Sequence, residues 1–334
     1  MTDLSKVVVS SSPHIKTSEG TTSIMGDVII ALIPALVLAI TNFGWRALVL
    51  TCVSVITCVV SEAIFNKINK QDLSITDLSA VVTGIILAFN VPVSLPIWTM
   101  VIGAAFSIIV VKMIFGGLGQ NFINPALGGR MFLLSWTGLM TTWTLPKISL
   151  PLFGNVVDVV TTATPLATLK TGALPDVAMQ DMLLGSIGGC LGETSAIALL
   201  AGGLYLLFQK VITPIIPVSY IGTVFLIAFL FPQGNDPLTF ATAHILTGGL
   251  MLGAIFMATD YVTSPVSAKG QLIFGIGCGL ITIFIRFFGG LAEGVSFSIV
   301  IMNACVFLID KYTMPKRFGM LPKPKKVKTA KEAE

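Results

Sequence analysis

Apolar runs of roughly membrane length follow one another along almost the whole chain. A helix needs about 20 apolar residues to cross a hydrocarbon layer of about 30 Å. Candidates occur at 25–42, 45–64, 76–90, 95–115, 124–141, 185–208, 212–231, 240–259, 270–288 and 294–312. Composition agrees, because 54% of the residues are hydrophobic and only 11% are charged. Since backbone groups in hydrocarbon must pair internally, we predict an all-α polytopic membrane protein with about ten transmembrane helices.

The spacing of these runs predicts how the chain is organised. The segments are an N-terminal arm at 1–24, a first transmembrane half at 25–141, a loop at 142–184, a second transmembrane half at 185–312 and a basic tail at 313–334. The third run is short and ends at Asn90, Val91 and Pro92, which favours a broken or re-entrant helix. Two halves of five spans each would have opposite orientations in the membrane.

Lys and Arg residues predict the orientation, because short basic loops tend to stay in the cytoplasm. With the N-terminus inside, the cytoplasmic basic residues are Lys6, Lys16, Lys67, Lys70, Lys112, Lys210, Lys269 and those from Lys311 to Lys331. The residues that fall clearly outside are Arg46, Lys147, Lys170 and Arg286. This bias predicts that both termini are cytoplasmic and that the 142–184 loop is extracytoplasmic.

The sequence argues against a metal centre and against a nucleic-acid partner. Its five cysteines form no close pair of the kind that ligates zinc or an iron–sulfur cluster. The two histidines, His14 and His244, are far apart in the chain. Much of the net charge of +4 lies in the Lys-rich C-terminal tail, which is typical of a segment attracted to anionic lipid headgroups. We therefore expect the bilayer to be the partner of the tail.

Two acidic residues are candidates for ion coupling, because ionisable groups at membrane depth are costly to keep. Glu193 lies in the segment GGCLGETSA inside an apolar run, and Asp260 lies in MATDYVTSPVSAKG at the end of another run. A purely structural role for Glu193 near a helix start is the alternative. Arg286 and Glu293 are close in sequence, and one interpretation is that they neutralise each other in a turn.

The polar segment 158–167, DVVTTATPLA, is the part of the loop that indicates a chemistry. It resembles the covalent-flavin acceptor motif of ion-pumping redox complexes, Asp-x-x-(Ser or Thr)-Gly-Ala-(Thr or Ser). In that motif the last residue carries FMN through a phosphoester, and the matching residue is Thr164. Asp158 and Thr161 match the motif, whereas Thr162 stands where the motif has Gly. By this resemblance Asp158, Thr161 and Thr162 support recognition or the local turn.

A longer resemblance runs in order through most of the chain. The segments that carry it include DLSAVVTGIILAFNVPVSLPIW at 77–98, KMIFGGLGQNFINPALGGRMF at 112–132, GETSAIALLAGG at 192–203 and IRFFGGLAEGVSFSIVIMN at 285–303. They are similar to the RnfD family, which contains the D subunit of the Rnf ion-translocating oxidoreductase. The B subunit of the sodium-pumping NADH:quinone oxidoreductase is related to it.

The resemblance implies a membrane subunit of a ferredoxin:NAD⁺ oxidoreductase in the bacterial cytoplasmic (inner) membrane. Such a subunit carries electrons on covalent FMN, here at Thr164, and couples electron transfer to Na⁺ or H⁺ translocation. The implied partners are the other Rnf subunits and a flavin transferase. The family also implies a second, non-covalent flavin such as riboflavin. No residue of this chain is expected to be catalytic in the sense of a side chain that reacts with a substrate.

Two other function classes are compatible with the apolar runs. A secondary transporter or channel without a redox cofactor could be built from two inverted halves, and it would have no use for the Thr-rich loop. A structural membrane scaffold would need neither a cofactor nor an essential ionisable residue. A flavin on Thr164 would distinguish the oxidoreductase component from both alternatives.

Overall fold

The computed structural model describes residues 20–70, 74–146, 164–172, 175, 177–193, 195–233, 236–290 and 293–315. The regular elements in these ranges are helices, so the all-α prediction is confirmed. The helices are α1 Thr21–Phe43, α2 Trp45–Ile68, α3 Ser79–Phe89, α4 Ile97–Phe106, α5 Pro125–Leu133, α6 Thr137–Met140, α7 Pro165–Lys170, α8 Met179–Leu184, α9 Ala196–Phe208, α10 Ile215–Leu230, α11 Pro237–Leu246, α12 Leu250–Leu252, α13 Ala268–Phe288 and α14 Val295–Thr313.

Four helices in the described part of the chain are long and apolar enough to cross a membrane. These helices are α1, α2, α13 and α14, with 23, 24, 21 and 19 residues. The helix α12 continues as a π-helix to Met257. If α11 and this longer helix, Leu250–Met257, are counted as one span with a 63° bend, they form a fifth span. Shorter apolar helices occupy other predicted runs, at Ser79–Phe89, Ile97–Met113, Ala196–Phe208 and Ile215–Leu230. The count of ten spans therefore stays a prediction.

Residues 90–96, between α3 and α4, are non-helical, and a buried arginine donates hydrogen bonds to two of their carbonyl groups. Arg46, at the start of α2, is 1% exposed. Its Nε donates to the carbonyl of Val93 at 2.8 Å, and its Nη2 donates to that of Leu95 at 3.2 Å. Backbone carbonyls at membrane depth need such partners, because lipid supplies no donors. The helix of the short third run therefore ends at Phe89, next to Asn90, Val91 and Pro92, where the sequence predicted an interruption.

A second arginine has the same function at the bend between α11 and α12. Arg286 on α13 donates to the carbonyls of His244 and Thr247 at 2.5 and 3.3 Å. Gly248 in the bend has φ +74°, a backbone conformation that glycine adopts without strain. Arg286 and Glu293 make no direct ion pair in the described residues, where the ion-pair partner of Glu293 is Arg130.

Contacts along α1 define two ends of the helix bundle. Near its start, Thr22 donates to the carbonyl of Thr76 at 3.1 Å, and Asp27 accepts a hydrogen bond from the hydroxyl of Tyr205 at 2.9 Å. Near its end, Asn42 donates to the carbonyl of Gly185 at 3.1 Å. A helix rises about 1.5 Å per residue, so these contacts are separated by roughly the thickness of a bilayer.

The packing of α1 against α9 depends on a small side chain. A Cβ atom on Gly202 of α9 would lie 2.1 Å from the carbonyl oxygen of Ala31 on α1. Small residues permit this close approach of helix backbones, and such contacts are a main source of helix association in lipid. The contact holds α9 beside α1.

Candidate functional site

A cavity lies between the segment that precedes α9, the break after α11 and the helix α7. We call it the Thr164 cavity. Its walls include Thr164, Arg130, Glu193, Glu293, Gly248, Leu134, Trp143, Leu166 and Phe297. The nearby contact between Asn42 and Gly185 places this cavity toward the C-terminal end of α1. Aromatic and aliphatic walls with a few charged groups are typical of a ligand-binding site.

Thr164 occupies the N-cap position of α7. Its backbone is extended, with φ −68° and ψ 149°, and its Oγ1 accepts a hydrogen bond from the amide of Ala167 at 3.3 Å. Pro165 follows at the first helical position, where its missing N–H has no cost. Lys170 at the other end of α7 donates to the carbonyl of Gly289 and so attaches the helix to the end of α13. The hydroxyl is therefore presented by a short, fixed helix.

The remaining residues of the predicted flavin motif cannot be placed around Thr164. Asp158, Thr161 and Thr162 lie outside the described residues. Thr164 itself is partly buried and lines the cavity. The sequence gives no sign of this burial, because the walls that cover Thr164 come from distant parts of the chain.

Arg130 and Glu293 form a buried ion pair in the cavity. Arg130 projects from α5, whose start is capped by Asn124 through a 3.0 Å bond from the amide of Ala126. One guanidinium nitrogen, Nη2, donates to Glu293, and the other, Nη1, donates to Oδ1 of Asn90 at 2.7 Å. The second carboxylate oxygen of Glu293 accepts from the amide of Gly249 at 2.9 Å. The exposed fractions of the Arg130 and Glu293 side chains are 6% and 17%.

Glu193, an ion-coupling candidate from the sequence, lies next to this pair. Its Oε2 accepts a hydrogen bond from the amide of Cys190 at 3.3 Å. Its Oε1 is buried without a hydrogen-bond partner among the described residues. Cys190, Glu193 and Glu293 each present one possible ligand atom, and these atoms lie within 4.8 Å of one another. The structure therefore joins Glu193 to two charged residues, Arg130 and Glu293, that the sequence did not connect with it.

A second cavity lies near the start of α1, and we call it the Lys112 cavity. Its walls include Met25, Ser79, Lys112, Asn121, Asn124 and Asp260. The ammonium group of Lys112 lies 3.0 Å from both carboxylate oxygens of Glu62, and the two side chains are 2% and 1% exposed. Lys112 also donates to Oγ of Ser79 at 2.6 Å.

Asp260, the other predicted coupling residue, belongs to the Lys112 cavity and not to the cluster around Glu193. Its Oδ2 accepts a hydrogen bond from the hydroxyl of Thr263 at 3.1 Å. Asp260 lies just after the π-helical turn that ends at Met257. Burial of its carboxyl group raises the pKa of that group above its usual value. The two residues singled out in the sequence thus line different cavities of the bundle.

Asn90 connects the polar groups of the two cavities. It accepts from Arg130, and its Nδ2 donates to the carbonyl of Ile86 at 2.7 Å and to Sδ of Met257 at 3.2 Å. Ile86 lines the Lys112 cavity, and Asn124 of that cavity donates to the carbonyl of Met257 at 3.3 Å. The sequence marked Asn90 only as the end of a short run, because its partners lie far away in the chain.

Comparison with known proteins gives matches along nearly the whole chain. The model of the NQR2, RnfD, RnfE family matches residues 8–319. The D subunit of the Na⁺-translocating ferredoxin:NAD⁺ oxidoreductase complex of Acetobacterium woodii is 49% identical over 96% of this chain and 98% of the relative. The D subunit of the proton-translocating ferredoxin:NAD⁺ oxidoreductase complex of Clostridium ljungdahlii is 43% identical, over 93% and 96% of the two chains.

A more distant relative shows the same coverage. The D subunit of the ion-translocating oxidoreductase complex of Escherichia coli O7:K1 is 35% identical over 93% of this chain and 98% of the relative. The family model therefore spans all the described residues, including both cavities. The chain belongs to the NQR2, RnfD, RnfE family.

Proposed function

We propose that this chain is the membrane-embedded D subunit of an ion-translocating ferredoxin:NAD⁺ oxidoreductase and carries FMN in phosphoester linkage to Thr164. The relatives named as D subunits of such complexes match the chain almost from end to end. The observation that carries the flavin assignment is the position of Thr164, whose hydroxyl lines a cavity that also contains a buried guanidinium. Other subunits of the complex and a flavin transferase are the proposed partners.

The types of residue around Thr164 are those that contact a flavin ring. Trp143, Leu166 and Phe297 provide apolar and aromatic walls against which a planar ring can pack. Arg130 has an Nε group with no hydrogen-bond partner among the described residues. A guanidinium near a flavin stabilises negative charge, and such nearby charges are one way in which a protein tunes a flavin.

A flavin supplies the ability to accept either one or two electrons, and the protein supplies position and electrostatics. In this chain α7 holds the attachment hydroxyl, and the contact of Lys170 with Gly289 holds α7. Arg130 keeps a positive charge at the cavity wall, and Asn90 orients the guanidinium through a 2.7 Å bond. A second, non-covalent flavin such as riboflavin stays a prediction from the resemblance.

We propose that Glu193 and Asp260 participate in coupling electron transfer to the export of Na⁺ or H⁺. Glu193 shares a cavity with Thr164, whereas Asp260 lines the cavity at the other end of the described bundle. Buried ionisable groups of this kind commonly mark ion pathways. We place the chain in the bacterial cytoplasmic (inner) membrane, with both termini in the cytoplasm and the Thr164 loop outside, because that orientation keeps most basic loops inside.

The flavin assignment is tested by ultraviolet fluorescence of the chain on a denaturing gel after coexpression with the flavin transferase. We expect the parent chain to fluoresce and Thr164→Val to be dark, because valine has the shape of threonine without the hydroxyl that forms the phosphoester. Thr164→Ser is the matched control and should fluoresce.

Two results would contradict the assignment. One is a Thr164→Val band as bright as the parent band, which would place the flavin on another residue. The other is a dark parent chain that is inserted in the membrane beside an active transferase. That second result would favour a transporter or channel without a redox cofactor.

A further inference from the structure

Two carboxyl groups face each other in the Thr164 cavity without a donor between them. Oε1 of Glu193 is buried and has no hydrogen-bond partner among the described residues. Glu193 is only 9% exposed, so water provides little compensation. One carboxylate oxygen of Glu293 lies within 4.8 Å of a carboxylate oxygen of Glu193. Ionised carboxylates only accept hydrogen bonds, so two of them at this separation repel each other.

We propose that Glu193 and Glu293 hold one exchangeable proton between them. The proton makes one carboxyl a donor and the other an acceptor, and it removes one of two like charges from a buried site. Because the groups interact strongly, the proton belongs to the pair and not to either residue alone. The pair is therefore a proton-binding site at the wall of the cavity that contains Thr164.

The charges around the pair explain why it holds one proton rather than two or none. Arg130 from α5 donates to Glu293, and this ion pair stabilises a single carboxylate. Arg286 from α13 is directed to the carbonyls of His244 and Thr247, so it provides only a more distant positive charge. Cys190 completes the titratable groups that face the pair in the described residues. The guanidinium of Arg130 thus balances the charge of one carboxylate in the pair.

A proton fits this site better than a metal cation. Sodium-like hard cations prefer several oxygen ligands. The third ligand atom within reach here is Sγ of Cys190, a soft ligand, and Sγ itself donates to the carbonyl of Asn90 at 3.4 Å. The ligand set around the pair therefore favours a proton over a hard cation.

The proton site follows from the geometry of the carboxyl pair, whereas its link to ion transport rests on the proposed function. If Thr164 carries a redox group, an electron that arrives in this cavity adds negative charge next to the pair. Binding of a proton by the pair would compensate that charge. The Arg130 guanidinium is then the positioning group that fixes Glu293 beside Glu193.

Labelling with dicyclohexylcarbodiimide tests the proposal on the intact complex in membrane vesicles. In this reaction the carboxyl proton moves to a carbodiimide nitrogen, and the carboxylate oxygen bonds to the central carbon. The adduct then rearranges to a stable acylurea that mass spectrometry locates. We expect label on Glu193 or Glu293, with no more than one label per chain. Above the apparent pKa of the pair, labelling should slow about tenfold for each unit of pH, because the protonated fraction falls by that factor.

Matched variants make the test specific for a shared proton. In Glu193→Gln, the remaining Glu293 faces Arg130 and should be ionised and unlabelled. In Glu293→Gln, the guanidinium of Arg130 loses its partner and becomes the counter-ion available to Glu193, so Glu193 should also be ionised and unlabelled. Glu62, which lies 3.0 Å from the ammonium of Lys112, is the internal control and should stay unlabelled. In Thr164→Val the label should still be found on Glu193 or Glu293, whatever its rate, because the proton site consists of the two carboxyl groups; failure of the flavin assignment is therefore distinguishable from failure of this proposal.

An infrared spectrum of the parent complex provides a second readout that does not depend on access of the reagent. A protonated-carboxyl band should be present in the parent and absent from both single Gln variants. The proposal is overturned if the parent shows neither the band nor the label. It is also overturned if the remaining carboxyl is labelled undiminished in each single variant, or if Na⁺ protects the parent from labelling when choline at the same ionic strength does not.

Discussion

Replacement of Arg130 by Gln should strongly destabilise the protein. The change leaves the carboxylate of Glu293 buried without its counter-ion and removes the donor to Oδ1 of Asn90. Removal of one partner from a buried ion pair typically costs about 3–5 kcal/mol. Because net stabilities of proteins are only about 5–15 kcal/mol, we expect a large loss of folded protein at growth temperature. Thermal unfolding of the purified complex, followed by tryptophan fluorescence, measures the effect.

Two further variants separate loss of the ion pair from loss of a surface charge. Arg130→Gln combined with Glu293→Gln should cost less than the sum of the single changes, because neither side chain is then left charged and unpaired. Lys67→Gln removes a positive charge from an exposed position of α2 and should change stability by less than about 0.5 kcal/mol. Additive losses in the double variant would show that Arg130 and Glu293 do not stabilise each other.

Lys112→Met should have an effect of similar size in the other cavity. The change leaves Glu62 with a hydrogen bond from Ser74 at 2.5 Å but without a positive partner in the described residues. A buried carboxylate in that state costs about 3–5 kcal/mol, and Glu62→Leu should have a similar cost because it leaves the ammonium of Lys112 unpaired. Unfolding of each variant in the same detergent gives the two values.

The double replacement is the informative control for this pair. Replacing buried ion pairs by apolar side chains of similar volume is often neutral or even stabilising. We therefore expect Glu62→Leu combined with Lys112→Met to be more stable than either single variant. If the double variant is instead as unstable as the sum of the single variants, the pair does not explain the burial of these two charges.

The sequence predicted the class of fold and one of its breaks for clear physical reasons. Apolar runs predict helices in a membrane, and Pro92 just after Asn90 predicts an interruption. The start of α9 was placed too early, because an apolar composition conceals the irregular backbone before Ala196. Gly185, the first residue of the run that was expected to be one helix, has φ +83° and instead caps the end of α8.

The ionic partners could not be predicted from the sequence. Arg130 and Glu293 are 163 positions apart, and no periodicity connects them. Proximity in sequence favoured Arg286 as the partner of Glu293, but Arg286 binds backbone carbonyls at the bend after α11. Every residue has a backbone carbonyl, so the sequence does not show which carbonyls an arginine binds. In the sequence, such an arginine therefore looks like a candidate for an ion pair. Glu193 was identified because an acid inside an apolar run is costly.

The proposed group on Thr164 should link electron transfer to ion transport. Inverted membrane vesicles that contain the whole complex, supplied with reduced ferredoxin and NAD⁺, allow both processes to be measured together. NADH formation and uptake of Na⁺ or H⁺ are recorded for the parent, Thr164→Ser and Thr164→Val. We predict that Thr164→Ser retains both activities and that Thr164→Val loses ion uptake together with electron transfer. Undiminished ferredoxin-driven ion uptake in Thr164→Val, with no flavin on the chain, would show that ion transport does not depend on a group attached to Thr164.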